Sequence, residues 1–76
     1  MNLIDRLWIN SEIKRAMRGT QHYESAEEGC SNIDAAYSVI TKYLDDISPL
    51  RVQELRKQVE IAEIDLKNKM TLGYII

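Results

Sequence analysis

A chain of 76 residues fits a single domain, 1–76, and a domain of this size buries only about 60% of the surface its unfolded chain exposes. The 12 acidic and 10 basic residues nearly cancel, to a net charge of −2, which argues against a dedicated nucleic-acid binder and against an acidic disordered tail. A lone cysteine, Cys30, rules out a disulfide framework, and no Cys/His spacing suggests a structural metal. The support left for so small a core is self-association or a partner.

Charge is unevenly spread. Residues 1–20 carry Arg6, Lys14, Arg15 and Arg18 against Asp5 and Glu12, a net of +2. Residues 21–47 carry six carboxylates against Lys42 alone, a net of −5, and residues 48–76 come to +1. The pattern is an acidic rod between two mildly basic ones, which attract when packed side by side.

Asp5 and Arg6 interrupt the apolar stretch at the start, so the apolar core of a secretory signal is missing. No apolar run is long enough to span a membrane. The expectation is a cytoplasmic protein with no membrane contact, and an unpaired thiol fits a reducing compartment.

In chain order, the first helix is expected over about residues 2–18. At 100° per residue it has two apolar faces: Leu3, Ile4, Leu7 and Trp8 on one side, Ile9, Ile13, Ala16 and Met17 on the other. Either it breaks near Asn10-Ser11, where Ser11 offers a new cap, or it stays continuous between two surfaces. Gly19 is the stop signal, with Lys14, Arg15 and Arg18 in the last turns, where cations suit the helix dipole.

A connector then leads to a second helix over about 24–46. Ser25 with Glu28 forms a capping box, and Ser31 with Asp34 forms a competing one. The earlier start agrees with an apolar stripe of Ala26, Cys30, Ile33, Tyr37, Ile40, Leu44 and Ile47. It places Gly29 inside a helix at a cost of about 1 kcal/mol; the later start would leave residues 20–31 as a long loop. Cys30, on the stripe, reads as a small buried hydrophobe.

Ser48 is an N-cap and Pro49 suits the first helical position, opening a third helix over about 49–70. So short a link requires antiparallel neighbours, pairing Leu44 with Val52, Ile40 with Leu55, Tyr37 with Val59, Ile33 with Ala62 and Cys30 with Leu66. Ile61 and Ile64 lie opposite this stripe and need a second apolar surface, from the first helix or a symmetry mate. Gly73 is a stop, followed by an apolar Tyr74-Ile75-Ile76 tail. The fold class is all-α: an antiparallel helical hairpin with an N-terminal helix, assembling into a helical bundle.

Chemistry has few candidates. His22 and Cys30 are too far apart on a helix for a hydrogen bond. His22 with Glu24, Glu27 and Glu28 lacks the E-x-x-H order of bundle metal sites, and there is no phosphate-binding loop. The expectation is a protein that is not an enzyme, with no cofactor and no metal. The leading functional reading is a protein-binding adaptor, inhibitor or chaperone-like protein acting through Leu7, Trp8, Ile61, Ile64, Tyr74, Ile75 and Ile76, on a protein partner or on itself as a homo-oligomer. One alternative is a nucleic-acid-binding regulator using Lys14, Arg15, Arg18, Arg51 and Arg56. Another is a ligand-sequestering oligomer with pockets between subunits, near His22 and Tyr23.

Overall fold

The computed structural model describes residues 2–76. It contains three helices, α1 (Leu3–Gly19), α2 (Ala26–Lys42) and α3 (Pro49–Thr71), and no strand among the described residues. The fold is all-α, as the periodicity requires.

Each helix begins at a side-chain cap. Asn2 accepts from the Asp5 amide at 2.8 Å, Ser25 from Glu28 at 3.1 Å and Ser48 from Arg51 at 3.3 Å. Pro49 occupies the first turn of α3, where its missing N–H leaves nothing unpaired. The Ser25 box therefore wins over Ser31, with one difference: the returning Glu28 carboxylate accepts from Glu24 N at 3.3 Å. At the far end of α3, Gly73 takes φ +77°. There Tyr74 N donates to Lys69 O and Gly73 N to Met70 O, at 2.9 and 3.3 Å, which closes a Schellman motif.

The helices form one flat layer with α2 in the middle. Asn32 Nδ2 donates to Gly19 O at 2.8 Å, and Lys42 Nζ to Glu12 Oε1 at 3.2 Å, so α1 and α2 run antiparallel. On the other side Leu66 lies against Gly29, and Lys69 Nζ donates to Tyr23 Oη at 3.1 Å, so α3 is antiparallel to α2 as well. α1 and α3 barely meet. One core runs through all three helices, from Ile9 and Ile13 through Ile33, Ala36 and Ile40 to Val52, Leu55, Val59 and Leu66. The layer extends 46 × 20 × 13 Å with a radius of gyration of 13.5 Å, against about 11 Å for a compact chain of this length.

The central position of α2 corrects several expectations. Its buried line is Gly29, Ile33, Ala36 and Ile40, turned toward α1 from the stripe that pairs with α3 alone. A helix packed on two neighbours buries the bisector of its two contact directions, and the rotation carries Cys30 into solvent. Leu66 accordingly packs over Gly29 rather than Cys30. Were Gly29 to carry a Cβ, it would stand 3.0 Å from both Leu66 methyls and 3.1 Å from the Tyr23 ring. Glycine inside the helix is what lets α3 approach this closely.

α2 also stops at Lys42 rather than Asp46. Tyr43 leaves helical geometry at φ −107°, ψ 21°, and Leu44 N→Thr41 O and Asp46 N→Tyr43 O close tight turns at 3.3 and 2.9 Å. Two carboxylates at a helix C-terminus would face the negative end of its dipole. In the turn, Asp46 instead shares a hollow with Arg6, Ser48 and Arg51. Leu44, no longer on the helix, is 41% exposed, while the half-buried Ile47 packs on the core.

α1 is continuous, so Ser11 caps nothing. Its Ile9 and Ile13 face is buried on α2, and its other apolar face is left exposed among the described residues. α1 does not cover Ile61 and Ile64 either, because α2 lies between them. The acidic segment, α2, does lie between the two mildly basic ones. Among the described residues the one interhelical ion pair runs the other way, between Glu12 of the basic segment and Lys42, the single cation of the acidic one.

Candidate interaction surfaces

The residues singled out in the sequence fall into three regions. The first is the start of α1. Gly19 is level with Asn32 and Glu12 with Tyr43, so residues 3–8 project past the end of α2 and flank the 43–48 turn. Leu3, Ile4, Leu7 and Trp8 follow one another along the outward side of this overhang, each between 61 and 76% exposed. Beyond them on the same side, Lys14, Arg15 and Arg18 line a shallow hollow with Ser11. The outer face of α1 is therefore a two-turn apolar ridge followed by three cations.

Under this ridge sits a polar clamp. Tyr43 Oη donates to one Glu12 carboxylate oxygen and Lys42 Nζ to the other. These bonds, Tyr43's foremost, hold the Glu12 pKa below its ordinary value. The same carboxylate raises Tyr43 and Lys42, since each would lose its best acceptor on giving up its proton. The clamp fixes α1 on α2 and so fixes where the overhang points.

The second region is the outer side of α3. Ile61 and Ile64 are 59 and 58% exposed, in line with the exposed Leu50 and Leu72 and with Glu54, Lys57 and Asn68. Toward α2, Tyr37 is half-buried and its pKa is raised, first by burial and then by the nearby Glu63 and Glu60 carboxylates.

The third region is the tail. The structure divides it: Ile75 packs on the core and Ile76 O accepts from Ala26 N at 2.8 Å, capping an amide at the start of α2. Tyr74 and Ile76 point their side chains into solvent. Ile75 thus belongs to the chain's own packing, whereas Leu7, Trp8, Ile61, Ile64, Tyr74 and Ile76 are exposed.

The five cations weighed for nucleic acid are not gathered. Lys14, Arg15 and Arg18 line one hollow, Arg51 lines another with Arg6 and Asp46, and Arg56 lines neither. His22, Tyr23, Glu24 and Glu28 border a further open hollow. There Asn32 donates to the His22 carbonyl, and the Tyr23 hydroxyl is engaged by Lys69. Among the described residues no three His, Cys, Asp or Glu side chains converge as metal ligands, and no helix is long and apolar enough to cross a membrane.

Asn32 was missed in the sequence. A lone Asn in a helix carries no signal by itself; its function as the tie from α2 to the end of α1 follows from Gly19 and His22 lying beside it. Compared with protein-family models, with curated proteins and with solved structures, the chain matches none.

Proposed function

We propose that this chain is a small non-enzymatic binding protein, an adaptor or inhibitor, that takes a protein partner on the outer face of α1. The observation that carries this reading is the ridge of Leu3, Ile4, Leu7 and Trp8, four large apolar side chains in one line, all more than half exposed. Contiguous exposed apolar surface on a small chain marks a contact site, and Trp8 is the type of side chain that dominates binding energy. The accessible surface supports the same reading. It is 5689 Å², where a compact monomer of 8.8 kDa exposes about 4,800 Å².

The ridge and the cations behind it describe the partner. An amphipathic segment whose apolar anchors meet the ridge, and whose carboxylates then meet Lys14, Arg15 and Arg18, satisfies both halves of this face.

Trp8 is the chain's single tryptophan, so its fluorescence reports on this site alone. The test is native co-purification with mass spectrometry, comparing the wild type with Leu7→Ser/Trp8→Ser. The expected result is a protein that co-purifies with the wild type, shifts Trp8 emission to the blue when added back, and is absent from the variant. Identical co-purifying proteins with both chains, or Trp8 emission that stays that of a water-exposed indole, would refute the proposal.

A further inference from the structure

The outer side of α3 carries a second set of exposed apolar side chains, Leu50, Ile61 and Ile64, set among polar ones and separate from the α1 ridge by the full width of the layer. Leu50, Glu54, Lys57, Ile61, Ile64 and Asn68 recur at spacings of 4, 3, 4, 3 and 4, a heptad seam about 180° from the Val52–Leu66 stripe that packs on α2. Two isoleucines at its centre are more than half exposed, and neither α1 nor the tail reaches them.

We infer that a second copy of this chain packs antiparallel along this seam, making a two-fold dimer through α3. The charges select both the occupant and the direction. With Ile61 set opposite Ile64 of the second copy, and the reverse, Lys57 falls opposite Asn68 and within a turn of Asp65. On the flank, Glu60 falls beside Lys67 of the second copy, and Lys67 beside its Glu60. Every contact is repeated by the symmetry, which is the condition for an isologous interface. A parallel pairing would instead place Lys57 against Lys57 and Glu54 against Glu54, like charges in the seam itself. With only two isoleucines per chain at its centre, the dimer is reversible and depends on concentration. The inference is independent of the α1 reading, because it leaves the ridge uncovered.

Sedimentation equilibrium on the full chain, at low salt and up to about 1 mM, tests it. The wild type is expected to pass from monomer to dimer with concentration. Ile61→Ser/Ile64→Ser is expected to weaken the dimer by at least about tenfold while keeping its helical circular dichroism, since both positions are exposed. Glu60→Lys and Lys67→Glu should each be monomeric alone and should form a heterodimer when mixed, because the mixture restores both flank pairs. Trp8→Ser is expected to leave dimerisation unchanged. A wild-type chain that stays monomeric at the highest concentration would overturn the inference. So would a dimer that survives loss of both isoleucines, one that Trp8→Ser abolishes, or charge variants that do not recognise each other.

Discussion

The three glycines of this chain should respond to alanine in three different ways, and Gly29 is the most informative. In the interior of α2, Gly29→Ala gains helix propensity of about 1 kcal/mol. Against this, the new Cβ stands 3.0 Å from both Leu66 methyls and 3.1 Å from Tyr23 Cδ2. A leucine at a surface would turn aside, but Leu66 is 2% exposed, so its methyls must give by a few tenths of an ångström within a packed core. Overpacking of this kind costs about 2 kcal/mol, leaving a net loss of about 1 kcal/mol, which for a domain of this length lowers Tm by roughly 4–8 °C. Gly19→Ala is the control. Its Cβ would meet Asn32 at 3.7 Å, an ordinary contact, and it should raise stability by about 0.5 kcal/mol. Gly73→Ala meets no atom but forces alanine to φ +77°, at a cost of about 1 kcal/mol. Urea denaturation followed by circular dichroism measures all three. A Gly29→Ala chain as stable as the Gly19→Ala chain would refute the close α2–α3 approach.

Other consequences are equally direct. The Glu12 pKa is held below its ordinary 4.5, so the clamp adds stability that is present above that value and is lost as pH falls through the folded pKa. Tyr43 and Lys42 are raised above 10.0 and 10.5, so their contribution is present below those values and is lost as pH rises through their folded pKa values. The urea midpoint difference between wild type and Glu12→Gln should therefore shrink from pH 7 to pH 3, and an unchanged difference would contradict the clamp. Asn32→Ala removes the donor to Gly19 and His22 and should cost about 1 kcal/mol, with faster amide exchange in the 20–25 connector; unchanged exchange there counts against the tie. Cys30, being exposed, should react with a thiol reagent in native buffer without prior unfolding. Reaction only after unfolding would restore the buried assignment.

What could be read from the residues alone was local. Ser25, Ser48-Pro49 and Gly73 act through hydrogen bonds and dihedral limits within a few residues of themselves, so the helix starts and the Gly73 stop are visible in the sequence. The same holds for the two faces of α1, whose periodicity is intact even though one face is exposed. The placement of α2 between α1 and α3 is not local. A stripe identifies apolar residues on a face but does not state how many neighbours that face serves, and a second neighbour rotates the buried line. That rotation decided that Gly29 is buried and Cys30 is not, and it left Ile61 and Ile64 on the far side of the layer from α1. The end of α2 was not legible either: the apolar stripe runs on through Leu44 and Ile47, while Tyr43 leaves helical geometry and the 43–46 backbone closes tight turns. The sequence by itself determined three helices and the Ser25 and Ser48 caps, because those are short-range. Only the tertiary structure decided which apolar faces remain open, because openness depends on what lies opposite.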